Sequence, residues 1–93
     1  MQINDLFGNR ISVGDYLIFD MKSGGFLARV NKIAIGTNGI PYLSCISAYE
    51  SYSGNYNIAT SVIKRFDKTV LIGETFAASK YPEAYARIIS YYE

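Results

Sequence analysis

Between residues 15 and 73 the apolar residues fall in short runs separated by turn-forming residues, a pattern typical of β-strands. Segments rich in Ser, Gly and Asn at residues 23–25, 37–39 and 51–55 mark the points where we predict the chain to reverse. The apolar runs predict five strands: Asp15–Asp20, Phe26–Ile35, Ile40–Tyr49, Tyr56–Lys64 and Thr69–Ile72. Five short strands at this spacing favour a barrel over a flat sheet, so we expect a mainly β fold built as a five-stranded barrel.

The long second strand contains a change of phase. Val30 and Ile33 are both apolar but lie three residues apart, so a regular strand would place them on opposite faces. A β-bulge near Asn31 and Lys32 would turn both apolar side chains inward and bend the strand, as a small barrel requires. The same bulge would place Arg29 and Lys32 together on the outer face.

Two connections between predicted strands have sequences that indicate their local structure. In the turn at residues 37–39, Asn38 and Gly39 are the residues that we expect to adopt positive φ. Residues 66–68, with the sequence Phe-Asp-Lys, predict a short turn or a single 3₁₀ turn before the last strand.

The period of the apolar residues changes after Gly73. Pro82 suits a first helical position, and an apolar stripe follows at i, i+3, i+4 and i+7: Tyr85, Ile88, Ile89 and Tyr92. We predict a C-terminal helix over residues 81–92. Its apolar stripe must be buried either on the chain's own barrel or on another molecule.

Length and composition predict one folded domain. The chain has 93 residues, of which 49% are hydrophobic and 18% are charged. We expect a single domain over residues 1–93, with the barrel at about 5–75. The single cysteine, Cys45, excludes an internal disulfide, and its apolar neighbours predict a buried, unreactive thiol. This cysteine usage, with no apolar run long enough for a bilayer and no basic leader, favours a cytoplasmic protein without membrane contact.

The charges are unevenly distributed although the net charge is only +1. Residues 21–48 contain three basic residues and no acidic ones: Lys22, Arg29 and Lys32. A second basic group surrounds Asp67 and consists of Lys64, Arg65 and Lys68. Two interpretations remain open: a scatter of solvated charges, or a basic face assembled from the two segments.

The residue types argue against an enzyme. The chain has no His and a single Cys, which excludes a Cys/His dyad, a Ser-His-Asp triad and a His-based metal site. Asp5, Asp15 and Asp20 fall at turns, where we expect their carboxylates to cap backbone N–H groups. We therefore expect no catalytic residues, no metal and no cofactor.

Three segments carry a family resemblance: Asp5-Leu6-Phe7-Gly8 through Ile11–Asp15, Leu27–Ile33, and Phe66–Ile72. They resemble the small SH3-like, KOW-related barrel proteins encoded by accessory genes of large tailed phages. The resemblance implies an SH3-like barrel and a non-catalytic binding domain, which binds nucleic acid in some members and protein in others. For a phage-encoded chain it also implies the host cytoplasm. This chain departs from a typical nucleic-acid-binding KOW domain because it lacks a strong positive charge.

Two kinds of partner follow. The first is a protein, for example a host enzyme, contacted by the Tyr-rich hairpin tip or by the terminal helix. Self-association through a barrel edge or through that helix is a variant of this hypothesis. The alternative is DNA or RNA, with phosphates bound by basic side chains and bases stacked on tyrosines. The candidate residues are Arg29, Lys32, Lys64 and Arg65 together with Tyr49, Tyr52 and Tyr56. Tyr49 and Tyr56 also suit a simple cross-strand aromatic pair within the hairpin.

Overall fold

The fold is one antiparallel sheet of five strands followed by two helices, as given by a computed structural model that describes residues 2–19, 26–50 and 54–93. The strands are β1 (Tyr16–Phe19), β2 (Phe26–Ile35), β3 (Pro41–Glu50), β4 (Tyr56–Ile63) and β5 (Thr69–Ile72). A 3₁₀ turn at Phe66–Lys68 precedes β5, and the helices are α1 (Glu74–Lys80) and α2 (Pro82–Tyr92). The predicted mainly β class, with five strands and a C-terminal helix, is confirmed. The expectations for Asp20, for residues 23–25 and for Tyr52 lie outside the described residues.

The sheet is open. Its strand order is β4-β3-β2-β1-β5, so β4 and β5 form the two edges, and they do not pair with each other in the described ranges. The expectation of a closed barrel is corrected to a bent open sheet. Closure depends on whether the first and last strands of the order meet, and local sequence spacing does not encode this contact.

The predicted bulge in β2 is confirmed. Val30 lies opposite Cys45 and Lys32 lies opposite Ser44, so Asn31 is the extra residue of β2. Val30 and Ile33 consequently both contact the same apolar cluster, Val30 fully buried and Ile33 half-buried. The change of phase in the sequence therefore marked a real bend.

The two faces of the sheet bury two separate clusters. The first lies between the sheet and the N-terminal segment and includes Ile3, Ile11, Leu17, Val30, Leu43, Cys45 and Ile63. The second lies between the sheet and the two helices and includes Tyr16, Leu27, Ala48, Ala77, Ala84 and Ile88. Of the two destinations considered for the apolar stripe of α2, the chain's own sheet is the one observed.

The N-terminal segment covers the β5 edge. Ile11 N–H donates to the Ile3 carbonyl, and Leu6 N–H donates across to the Thr69 carbonyl at 2.9 Å. Asp5 is only 6% exposed, and its carboxylate accepts the N–H of Leu71 at 2.7 Å. The same carboxylate also accepts the N–H groups of its own turn, so the expectation that Asp5 is a turn cap is confirmed and extended.

One local expectation is corrected, and one helix was not expected. Gly39 has a φ of 80°, but Asn38 does not adopt positive φ. Instead the side-chain Oδ1 of Asn38 accepts the N–H of Ile40 at 3.1 Å and closes the turn in that way. The helix α1 was not predicted, because its N-cap is Gly73 without a side-chain hydrogen bond and only Ala77 is buried.

In the described ranges, no helix is long and apolar enough to cross a membrane.

Candidate binding surface

Arg29 lies on the sheet face that α2 covers. Its register partners are Tyr16 on β1 and Ile46 on β3, both buried. The guanidinium carbon lies 4.3 Å from the ring centroid of Tyr92 on α2 and 5.8 Å from that of Tyr16. These distances are those of cation–π contacts. Arg29 therefore stabilises the packing of α2 on the sheet. The expectation that Arg29 projects from a free outer face is corrected.

Tyrosines surround this contact on the α2 side. The hydroxyl of Tyr92 donates to Asn31 at 3.2 Å, and that of Tyr85 donates to Glu74 at 2.9 Å. Burial raises the pKa of Tyr16 to about 12, although the nearby Arg29 charge opposes the shift. Tyr16 is thus neutral at physiological pH, and the cluster of rings holds α2 in place rather than presenting a reactive group.

Lys32 and Lys64 share one face of the sheet. Lys32 lies opposite Ser44, and Ser44 lies opposite Val62, so these three residues point to the side on which α2 packs. Lys64 follows Ile63, the last residue of β4, and is two residues beyond Val62. Both lysines are exposed because α2 covers the other end of this face. Of the four basic residues predicted to form a binding face, Lys32 and Lys64 are thus exposed on this side of the sheet, and their role in binding stays a prediction.

An open groove lies at this uncovered end, beside the turn that joins β2 to β3. We call it the hairpin-end groove; it has a volume of about 400 Å³ and is lined by residues 36–38, Ile40, Tyr42, Val62 and Lys64. The side chains of Ile40 and Val62 are 53% and 57% exposed, and Tyr42 is half-buried. Gly36 keeps the turn compact, since a Cβ there would lie 3.0 Å from Asn38 Oδ1. The groove therefore combines exposed apolar surface with the positive charge of Lys64.

Tyr49 and Tyr56 of the predicted Tyr-rich hairpin do not share one aromatic surface. Tyr49 lies opposite Asn57, whereas Tyr56 lies opposite Glu50, so the two tyrosines project from opposite faces of the sheet. The interpretation of Tyr49 and Tyr56 as a cross-strand pair is therefore wrong. Tyr49 is exposed, while Tyr56 packs against the second cluster, and burial raises its pKa. Tyr52 lies outside the described residues.

Arg65 differs from the two lysines because it forms an ion pair within the chain. Its guanidinium donates to both carboxylate oxygens of Asp67, at 3.2 and 3.0 Å. This hydrogen bond raises the pKa of Arg65 and lowers that of Asp67. Both side chains are exposed, so the pair adds little to stability but neutralises the charge of Arg65 locally.

Sequence reasoning missed Ile40, Tyr42 and Val62. A usable signal was present in β4, where Val62 and Ile63 are adjacent apolar residues in a strand whose side chains alternate. Only one of them can face the first cluster, and Ile63 does so. Val62 therefore lies on the opposite face, where only a covering element or a ligand would bury it.

The remaining chemistry is limited. Cys45 is fully buried, as predicted, and burial raises the pKa of its thiol to about 12. Its low reactivity stays a prediction. Within the described ranges, no group of three or more His, Cys, Asp or Glu side chains could hold a metal ion. The carboxylates predicted to cap turns do so for Asp5 and for Asp15, which accepts the Ser12 N–H at 2.7 Å.

Comparison of the chain with family models, with curated proteins and with solved structures gave no match. The geometry of the groove and the charges around it therefore provide the basis for a proposed function.

Proposed function

We propose that this chain is a non-catalytic protein-binding module and that the hairpin-end groove is its contact surface. The observation that carries the proposal is the joint exposure of Ile40 and Val62 in a concave site at the uncovered end of the sheet. Exposed apolar side chains that line a concavity, with polar residues at its rim, are typical of protein interaction sites. Protein binding also agrees with the resemblance to phage accessory barrels, which implies protein binding in some members and nucleic-acid binding in others.

The groove suggests the chemistry of the partner. Its lining residues include the cation Lys64 and no acidic residue, and Lys32 lies on the same face about 10 Å from Val62, two strand spacings away. A partner segment that inserts an apolar side chain between Ile40 and Val62 and places a carboxylate near Lys64 would complement this surface. Tyr42 supplies an aromatic wall of the kind enriched at interfaces.

The contacts that Arg29 and Arg65 make within the chain favour a protein partner over a nucleic-acid partner. Arg29 is held by the rings of Tyr92 and Tyr16, and Arg65 is paired with Asp67. Two of the four basic residues expected to contact phosphates are thus used within the chain. Since phosphate contacts dominate nucleic-acid affinity, a face reduced to Lys32 and Lys64 supports only weak binding.

Site-specific photo-crosslinking in cells that naturally contain the chain tests the proposal. A photoreactive amino acid replaces Ile40 in one variant and Leu6 in the other, because these side chains are equally exposed, at 53% and 55%, on different parts of the molecule. We expect a discrete protein adduct from position 40 and none from position 6. Equal adducts from both positions would contradict the assignment of the groove.

A second measurement tests the alternative that the partner is DNA or RNA. Fluorescence anisotropy with single-stranded DNA and RNA at about 50 and 200 mM salt should show no binding tighter than non-specific association, in the range of roughly 10⁻⁴ to 10⁻⁶ M. Binding much tighter than this, weakened by Lys32→Ala and Lys64→Ala, would replace the protein hypothesis with the nucleic-acid one.

A further inference from the structure

The two edges of the sheet differ in whether their backbone hydrogen-bonding groups have partners among the described residues. At the β5 edge, the Thr69 carbonyl accepts the Leu6 N–H and the Leu71 N–H donates to Asp5. The N-terminal segment therefore occupies the hydrogen-bonding groups of that edge. At the other edge, β4 pairs with β3 alone among the described residues. Alternate N–H and C=O groups along β4 consequently point away from the sheet.

The sequence of β4 contains none of the devices that normally protect an edge strand. Its eight residues, Tyr56–Ile63, include no charged residue, no Pro and no Gly. Proteins usually blunt such edges with Lys, Pro, a bulge or a covering segment. The β2 strand of this chain has a bulge, but β4 pairs with β3 in continuous register from Tyr56 to Ile63. A long, regular and uncharged edge is a template for a further strand.

The β4 sequence is complementary to itself when it is paired antiparallel about Thr60. In that register Thr60 faces Thr60 of a second copy, and Ile58 faces Val62 of the second copy. Cross-strand Thr–Thr and β-branched apolar pairs are favourable neighbours. Thr60 and Val62 are exposed in the single chain, so the pairing would bury side chains that now contact solvent. On the other face, the small side chains of Ala59 and Ser61 would meet.

We propose that two copies of this chain form a symmetric dimer by antiparallel pairing of their β4 edges about Thr60. A twofold axis through the Thr60 pair keeps the α2 side of both sheets on the same face, so the two halves form one continuous sheet. Association stops at two copies because the β5 edge of each copy is occupied by its own N-terminal segment. Paired strands bury a small interface, so we expect a weak dimer that dissociates on dilution.

The dimer forms without the proposed partner, but it shares one residue, Val62, with the groove in which that partner would bind. Val62 lies in the wall of the hairpin-end groove, and Ile58 of the second copy would lie beside it. The dimer would therefore present two grooves on one face, and a partner with two matching segments would gain from bivalency.

Sedimentation velocity of the full chain over about 5–500 µM tests the proposal, because mass action reveals a micromolar dimer in this range. We expect the wild-type chain to change from monomer to dimer with concentration. Thr60→Lys and Thr60→Glu each place like charges at the twofold axis and should weaken the dimer at least about tenfold. Thr75→Lys changes the same residue type at an exposed position of α1 and should leave the dimer intact. Circular dichroism and thermal unfolding verify that each variant is folded.

Mixing the two charge variants gives the decisive result. Thr60→Lys and Thr60→Glu in equal amounts should form a mixed dimer, since opposite charges then meet at the axis. A wild-type chain that stays monomeric over the whole range overturns the proposal. So do charge variants that dimerise as the wild type does, or a mixture that stays monomeric. Ile40→Asp, which tests the groove, should leave the dimer intact, so failure of one hypothesis does not imply failure of the other.

Discussion

Replacing Asp5 by Ala should destabilise the fold far more than its place in a surface turn suggests. The carboxylate accepts the N–H groups of Phe7 at 2.9 Å, Asn9 at 2.8 Å and Leu71 at 2.7 Å. Leu71 is 66 residues away along the chain, so this one side chain ties the N-terminal segment to β5. Loss of the carboxylate would release that segment from the sheet edge.

The expected magnitude follows from the three hydrogen bonds. The N–H of Leu71 lies in a half-buried strand, and a buried donor left without an acceptor costs about 1–3 kcal/mol. Phe7 and Asn9 are exposed, so water replaces the carboxylate there and each loss costs about 0.5–1 kcal/mol. The total is roughly 2–5 kcal/mol, which for a domain of this size lowers Tm by roughly 10–40 °C.

Urea unfolding at neutral pH measures this loss, with Asp15→Ala as the matched control. The Asp15 carboxylate accepts one exposed N–H, that of Ser12, and its removal should cost only about 0.5–1 kcal/mol. Equal and small losses for the two variants would refute the reasoning. That result would mean that the contact between Asp5 and β5 does not hold the N-terminal segment.

The same carboxylate predicts a pH dependence. Burial alone would raise the pKa of Asp5, but the backbone hydrogen bonds from Leu71, Asn9 and Phe7 outweigh it and hold the pKa below its usual value of 3.8. A lowered pKa in the folded state gives stability that is fully present well above pH 3.8 and is lost as the pH falls through the folded value. The difference in the free energy of unfolding between wild type and Asp5→Ala should therefore be constant near neutral pH and shrink in acid. A difference that stays constant into strong acid would argue against the shift.

Three further predictions concern the helix and the cysteine. Tyr92→Leu removes the ring above Arg29 and should cost about 0.5–1 kcal/mol in urea unfolding, whereas Tyr92→Phe keeps the ring and should cost less; equal costs would argue against the cation–π contact. Ile88→Ala empties a fully buried site under α2 and should cost about 2–5 kcal/mol, and a loss well below that range would place α2 off the sheet. A thiol reagent should label Cys45 only when the chain unfolds, because the thiol is buried and its pKa is raised to about 12; rapid labelling of the native chain would contradict this.

The sequence predicted the parts of the fold that depend on local periodicity. The bulge followed from Val30 and Ile33, which are apolar at a spacing that a regular strand cannot bury. The last helix followed from Pro82 and its apolar stripe, and the structure gives it the bounds Pro82–Tyr92. The short helix α1 had no such signal, because it has only two turns and one buried side chain.

Contacts between distant segments could not be predicted in this way. No local pattern indicates that α2 covers Arg29 rather than another part of the sheet, so Arg29 was assigned to a free face. Tyr49 and Tyr56 were paired because they are close in sequence, but the hairpin register moves them to opposite faces. Conversely, Lys32 and Val62 share a face because two strand registers align them through Ser44, and Lys64 lines the groove beside Val62. The open edge of β4 likewise became apparent only from the strand order.

The central claim, that the hairpin-end groove binds a protein, is tested most directly by the affinity of the crosslinked partner for two matched variants. Ile40→Asp and Leu6→Asp each place a charge on an exposed apolar residue, at 53% and 55% exposure, but only Ile40 lines the groove. Isothermal titration calorimetry should show affinity reduced at least about tenfold for Ile40→Asp, as for an interface hot spot, and unchanged for Leu6→Asp. Wild-type affinity for Ile40→Asp, or an equal loss for both variants, would contradict the account.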